Sequence, residues 1–418
     1  MHHFHYQEGK LYCEEVPIET IAQENGTPFY CYSHATLRRH FHAFDSAFAH
    51  VDHLTCFSVK SCSNIAVLHL FASLGAGMDI VSGGELYRAL KAGVPPEKIV
   101  FSGVGKTEEE IVYGLETGIL MFNLESQQEM VALNEYAARL GRRAPMAIRV
   151  NPDVDPKTHP YISTGLRQNK FGIDLKISEA MYIQAKEMSN LEIVGIGCHI
   201  GSQLTEVSPF LDTFKRLKRL IQRLQELDIQ IQYLDLGGGL GITYSEEAPP
   251  HPTDYARVLV DEMDGLDCSL IFEPGRVIVG NAGVLITRVL YTKEGPLKNF
   301  LVVDAGMNDL VRPSLYGAYH HIQPVVDQKR SEIKADVVGP ICETGDFLAR
   351  DRSLPRVQRG ELLAVMSAGA YGFAMSSNYN SRPRPPEILV RGDKFEVIRP
   401  RETYEDLLRG ERVPNFFN

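Results

Sequence analysis

The stretch Phe57-Ser58-Val59-Lys60-Ser61-Cys62-Ser63-Asn64 decides how this chain is read. Ahead of it, Leu54 to Val59 form a short apolar run with the β-branched and aromatic content of a buried strand. Beyond it, from Ile65 to Leu74, apolar residues recur at helical spacing. Lys60 therefore stands where a strand ends and a loop turns into a helix. An amine closing a buried strand is costly to strip of water, so it calls for a partner or a task. With its pKa lowered there, it could act as a base or form a Schiff base. On placement alone, the plainer alternative is a lysine that simply reaches solvent at the strand end, which is common.

Working outward, the strand-then-helix step recurs. Apolar runs lie at Leu54–Val59, Met78–Val81, Ile99–Ser102, Ile119–Asn123, Met146–Val150, Ile193–His199, Tyr233–Leu236 and Leu270–Glu273. Amphipathic stretches such as Glu85–Ala92, Thr107–Glu116, Ser126–Leu140, Ser178–Met188 and Pro209–Leu227 separate them. Eight such steps predict an α/β protein built on a (β/α)₈ TIM barrel over residues 32–276. Lys60, Asp79, His199, Gly237 to Gly239 and Glu273 all fall at the ends of these runs. In such barrels that face carries the chemistry. After Arg276 the rhythm changes. Val277–Val279, Val284–Leu290, Phe300–Val303, Ala335–Val338, Leu362–Met366 and Phe395–Ile398 read as strands without long helices between them. A second, mostly β domain, sandwich- or barrel-like, is expected over 277–418, joined by strand-like patches in residues 1–31. Glu402–Leu408 is expected to close the chain as a helix.

Composition narrows the class. At 418 residues the chain exceeds one ordinary core, and 44% hydrophobic with 23% charged residues is usual for a globular enzyme. A net charge of -10 lacks the basic footprint of a nucleic-acid partner. No apolar run approaches the ~20 residues of a membrane helix, so no membrane is expected. The first residues show neither the basic region nor the apolar core of a secretion signal. Seven scattered cysteines without a Cys-x-x-Cys pair suggest neither a zinc site nor a disulfide framework, and the expected compartment is the reducing cytoplasm.

Several segments carry candidate chemistry. Gly237-Gly238-Gly239, after the seventh run, lets backbone N–H groups approach an anion, where barrels hold phosphate, though a plain tight turn explains it too. Glu273-Pro274-Gly275-Arg276 follows the eighth run. Its glutamate could hold a heterocyclic nitrogen protonated, Gly275 could complete the cradle, and Arg276 could bind a carboxylate. A Glu273–Arg276 surface ion pair is the plainer alternative. His199-Ile200-Gly201-Ser202 offers a ring to stack on a flat cofactor and a hydroxyl for phosphate. In the β region, Gly339-Pro340-Ile341-Cys342-Glu343-Thr344-Gly345-Asp346 is sharply turned and offers a thiol able to donate a proton. Arg312-Pro313-Ser314-Leu315-Tyr316 and Ala370-Tyr371-Gly372 add polar and aromatic binding groups.

Together, in this order, these segments resemble the fold-type III pyridoxal-phosphate decarboxylases over essentially the whole chain. The Cys342-Glu343-Thr344-Gly345-Asp346 segment looks most like the branch acting on diaminopimelate. Ser61 and Ser63-Asn64 beside the lysine, and Thr344, depart from the family's common residues without touching a reacting group. The resemblance implies that Lys60 carries pyridoxal 5'-phosphate and that His199 stacks on its ring. Ser202, Gly238, Gly239 and Gly275 would hold the phosphate, Glu273 would pair with the pyridine nitrogen, and Asp79, Arg276 and Tyr371 join the cofactor set. Arg276, Arg312, Tyr316, Glu343 and Tyr371 would bind substrate, expected to be meso-diaminopimelate, and Cys342 would be the proton donor. It further implies a homodimer whose sites combine Lys60 of one chain with Cys342 of the other. Decarboxylases of ornithine, arginine or carboxylated polyamines, and a non-catalytic cofactor carrier, remain alternatives on the same fold.

Overall fold

The computed structural model describes residues 2–155 and 170–417. The chain divides into two units, Arg38–Val279 and a unit composed of Met1–Leu37 with Gly280–Asn418.

In Arg38–Val279 strand and helix alternate: β1 (His53–Ser58), α1 (Ile65–Ser73), β2 (Gly77–Ile80), α2 (Gly83–Lys91), β3 (Ile99–Phe101), α3 (Glu108–Thr117), β4 (Met121–Leu124), α4 (Gln127–Arg139), β5 (Ala144–Asn151), α5 (Leu175–Lys186), β6 (Leu191–Gly197), α6 (Ser208–Glu226), β7 (Tyr233–Asp235), α7 (Pro252–Val260) and β8 (Ser269–Phe272). Each strand pairs in parallel with the next. The last returns to the first, with Leu270 opposite His53 and Phe272 opposite Thr55, so the barrel closes. Closure puts one face of each strand inside and the other under the helices, which is why β3 and β4 are buried throughout. Cys56, Val100, Met121, Ala147, Val194 and Ile271 pack as one core cluster of the barrel. On the outer layer Phe272 stacks on Phe48 with ring centroids 4.0 Å apart, and Tyr255 meets both edge-on. Helix α6 buries Phe210, Phe214, Leu217, Ile221 and Leu224, a stripe at intervals of four and three that forms one helical face.

The loops that follow the strands end in capping residues. Asn64, Ser82, Thr107 and Ser126 each accept a backbone N–H of the helix they open, worth about 1 kcal/mol apiece. Lys106 pins the loop after β3. Its buried ammonium donates to Gly103 O (2.8 Å), Asn123 O (2.7 Å) and Glu129 Oε1 (2.7 Å). Lys106→Met would leave Glu129 and two carbonyls short of a partner. The expected loss is about 3 kcal/mol, read as a lowered midpoint of urea unfolding.

The second unit is mostly β: β9 (Gly283–Lys293), β10 (Phe300–Val303), β11 (Glu332–Val338), β12 (Phe347–Pro355), β13 (Leu362–Val365), β14 (Glu387–Arg391) and β15 (Lys394–Arg399). The N-terminal strand Phe29–Ser33 lies between β9 and β14 in this sheet, antiparallel to the first and parallel to the second. Its core gathers Phe29 and Cys31 with Leu11, Val284, Ile286, Ala364, Ile388 and Val390. A short helix, Tyr404–Leu407, lies near the end. One reading fails: Val277–Val279 is not a strand. Arg276–Val279 is a helical turn in which Ile278 and Val279 N–H both donate to Gly275 O (3.0 and 3.1 Å). The β preference of valine and isoleucine yields there to the anchoring of Arg276 described below. No described helix is long and apolar enough to cross a membrane.

Candidate active site

Strand β1 ends at Ser58, and Lys60 sits in the single 3₁₀ turn Val59–Ser61 that follows. The turn lifts its amine off the strand, so the side chain is about one-third exposed and its Nζ donates to Asp79 Oδ2 at 2.6 Å. Asp79, inside β2 and fully buried, takes the Ser58 hydroxyl on the same oxygen at 2.7 Å. Its other oxygen, Oδ1, is buried without a hydrogen-bond partner. The task that the sequence left open for Lys60 therefore starts as an ion pair with the next strand.

Glu273, just past β8, belongs to a buried network that crosses the barrel mouth. The Asn123 amide donates to Asp235 Oδ2 (2.7 Å) and to Ser102 Oγ (3.1 Å), using both of its N–H groups. Ser102 already receives a proton, so its own hydroxyl turns to Glu273 Oε1 at 3.1 Å. Asp235 accepts Gly237 N–H on its second oxygen (2.9 Å). Burial pushes the Glu273 carboxyl well above the usual carboxylate range, and the Asp235 and Asp79 charges push it further. Burial also raises Asp235, to about 6. Acidic groups crowded in one dry space cannot all ionise, and burial with the Asp235 and Asp79 charges disfavours the charged form of Glu273.

His199 is uncharged. Gly238 N–H donates to its Nδ1 at 3.1 Å, which requires a lone pair there and places the ring proton on Nε2. Burial, then the cations Arg149 and Lys60, hold its pKa well below the ordinary value. The loop Gly237–Gly239 passes so close to its neighbours that side chains do not fit. At Gly239, with φ +117°, a Cβ would lie 2.5 Å from Gly201 O. At Gly275 it would lie 2.9 Å from Ser61 Oγ, in the turn that carries Lys60. Arg276 is buried. It donates to Ser202 Oγ from Nε (3.2 Å) and Nη2 (3.0 Å), and to Tyr244 OH from Nη1 (2.7 Å). Glu273 and Arg276 are both buried, so neither belongs to a surface ion pair.

Lys60, Ser102, Asn123, Arg149, His199 and Glu273 line one cavity of about 420 Å³. The sequence reading did not single out four of the groups that shape it: Ser102, Asn123, Arg149 and Asp235. Ser102 and Asn123 close the third and fourth apolar runs, so the strand-end rule that marked Lys60 and Glu273 also reaches them. Arg149 is buried within β5, paired with Glu125 at 2.6 Å, and no local signal distinguishes it.

Pyridoxal phosphate requires an amine, an acid for a basic ring nitrogen, an uncharged surface against a flat ring, and a close-approach cradle for phosphate. The amine of Lys60, the buried Glu273 with its raised pKa, neutral His199 and the Gly239–Gly275 backbone with Ser202 fit these demands.

In the second unit, Arg312 opens the short helix Arg312–Tyr316 and is buried, its Nη1 donating to His320 Nε2 (2.8 Å). His320 Nδ1–H donates to Met366 O (2.9 Å), which fixes that tautomer. Tyr316 is half-buried in the same helix. Tyr371 is held at φ +56°, a left-handed conformation that a bulky side chain rarely adopts and that marks functional positions. Cys342 is the exposed cysteine among the described residues, in a turn that Asp346 ties by accepting Ile341 N–H and Met307 N–H, both at 2.7 Å. Glu343 follows it, exposed.

The chain is similar to known proteins over essentially its whole length. The family described as "Pyridoxal-dependent decarboxylase, pyridoxal binding domain" matches residues 34–280. A protein of Aquifex aeolicus named diaminopimelate decarboxylase is 53% identical over 401 residues, covering 96% of this chain and 95% of its own. The Haemophilus influenzae protein of that name is 52% identical over 410 residues, covering 97% and 98%. Among solved structures, the Helicobacter pylori diaminopimelate decarboxylase complexed with L-lysine superposes with a TM-score of 0.91 at 44% identity, over 94% of this chain and 98% of its own. The corresponding enzyme from M. jannaschii, in co-complex with L-lysine, gives 0.95 at 39% identity, over 99% and 98%. An amine, a buried carboxyl and an uncharged imidazole facing one cavity, within a sequence this close over its full length, place the chain in the pyridoxal-dependent decarboxylases, in the diaminopimelate decarboxylase family.

Proposed function

We propose that this protein decarboxylates meso-2,6-diaminopimelate to L-lysine and CO₂, the last step of lysine biosynthesis, with pyridoxal 5'-phosphate as cofactor. The observation that carries the reading is the buried Glu273, which lines one cavity with Lys60 and His199 and whose carboxyl burial pushes well above the usual range. The names of the full-length relatives, and the L-lysine in two solved ones, support the choice of substrate.

Lys60 would hold the cofactor, with Ser202, Gly238, Gly239 and Gly275 around its phosphate, His199 against its ring and Glu273 at its nitrogen. Asp79 and Arg276 complete that set. When bound, the cofactor supplies an electron sink for the pair left when the carboxylate departs. Asp79 orients the Lys60 amine, and the Ser102 hydroxyl holds Glu273 by its Oε1. In the second unit, Cys342 delivers a proton from Sγ to the α-carbon after CO₂ has left. Arg312, Tyr316, Glu343 and Tyr371, with Arg276, would grip the unreacting amino-acid end, where fixed charges match a carboxylate and an ammonium. Lys60 and Cys342 belong to different units, and we assign them to one site across a homodimer, each chain lending its exposed Cys342 turn to its partner.

Incubation with meso-diaminopimelate should yield L-lysine and CO₂ in equal amounts, and no product from that substrate would overturn the reading. Glu273→Gln should retain cofactor while kcat falls by about 10²-fold. In the cofactor-free protein the same change should stabilise. A carboxyl whose pKa is raised by folding costs stability increasingly as pH rises above its unfolded value of about 4.3. The stability gap between variant and wild type should therefore widen from pH 4 toward neutrality, and a constant gap would deny Glu273 its raised pKa.

A further inference from the structure

The turn that carries Cys342 is tied on two sides, and one tie reaches the cysteine itself. Ile341 N–H bonds to Asp346 within the turn, and Glu343 N–H to Ile341 O at 2.8 Å. Cys342 N–H instead donates to Asn380 Oδ1 at 2.8 Å, across 38 residues of sequence. Asn380 holds this acceptor in place from a left-handed backbone, φ +55° and ψ +29°, which asparagine tolerates better than most residues.

The segment that reaches over is itself anchored. Asn378 Nδ2 donates to Glu402 Oε2 at 2.6 Å and to Arg382 O at 3.1 Å. Arg384 donates to Glu402 from its backbone N (2.8 Å) and Nε (2.7 Å). Burial works against ionisation of Glu402, yet the bonds from Arg384 prevail and hold it down to about 2. The anchor is therefore charged throughout the working pH range.

We propose that Asn380 is the positioning residue of Cys342, its side-chain oxygen holding the backbone of the proton donor from the far side of the turn. The inference rests on the reading of Cys342 as proton donor. Its chemistry is geometric: a thiol fixed at its backbone by one hydrogen bond delivers its proton along one line, and loosening it costs rate rather than affinity.

Two substitutions separate the acceptor from the backbone. Asn380→Gly keeps the left-handed conformation accessible and removes the side chain with its acceptor oxygen, whereas Asn380→Asp keeps both the conformation and an acceptor oxygen. In the holoenzyme, Asn380→Gly should lower kcat roughly tenfold with KM changed less than about twofold. Backbone amide exchange at Cys342, followed by mass spectrometry, should accelerate in that variant. Asn380→Asp should restore both kcat and protection. Wild-type kcat in Asn380→Gly, unchanged exchange at Cys342, or failure of Asn380→Asp to rescue would each overturn the Asn380 assignment. Cys342→Ala, run alongside, tells the two levels apart. If it retains turnover, the donor reading fails, while the exchange data still decide whether Asn380 holds the turn.

Discussion

Lys60→Ala should abolish the visible absorbance of bound cofactor and lower turnover by roughly 10³-fold or more, because it removes the nucleophilic amine and a proton carrier at once. The Lys60–Asp79 pair complicates the interpretation. Alanine also strips the buried Asp79 of its cation, so lost activity could reflect a disturbed carboxylate. Lys60→Arg resolves this. A guanidinium keeps a positive charge opposite Asp79 but never deprotonates, so it cannot serve as an amine nucleophile. If lysine at this position acts through its chemistry, both variants are equally inactive and both lose the band. If Lys60→Arg retains wild-type turnover, Lys60 is a counter-ion and the cofactor is held elsewhere. Spectra and lysine formation, measured on the same preparations, decide.

Mixing two inactive variants should create activity. Lys60→Ala and Cys342→Ala each remove one contributor to the proposed composite site. Unfolded and refolded together in equal amounts, about half of all dimers pair unlike chains. In such a dimer one site carries both defects and the other neither, so about a quarter of wild-type activity should return. Refolded wild type sets the ceiling, and each variant refolded alone sets the floor. A mixture that stays at the floor while wild type recovers would place Lys60 and Cys342 of one chain in the same site. The exposed position of Cys342 motivates the experiment, since a proton donor left open to water would exchange with solvent and lose control over where its proton goes.

The alternation of apolar runs with amphipathic stretches specified the barrel almost strand by strand. Period and burial are set locally: a run such as Ile99-Val100-Phe101 is apolar on both faces only if both will be covered. The polar residue closing each run also marked the functional face, since an ionisable group at the end of a buried strand needs a reason to be there. Local preference misled at Val277–Val279, where β-branched residues form a helical turn beside the anchored Arg276. What only the tertiary structure decided is the state of each group. Ser102 and Glu273 are 171 positions apart in sequence and 3.1 Å apart in space, and Cys342 meets Asn380 only through the fold. Whether a carboxyl keeps its proton, an imidazole stays neutral or a thiol is held still depends on burial and on which donor faces which acceptor. These are properties of the assembled neighbourhood rather than of any stretch of chain, so a sequence names the residues and the fold assigns their charges.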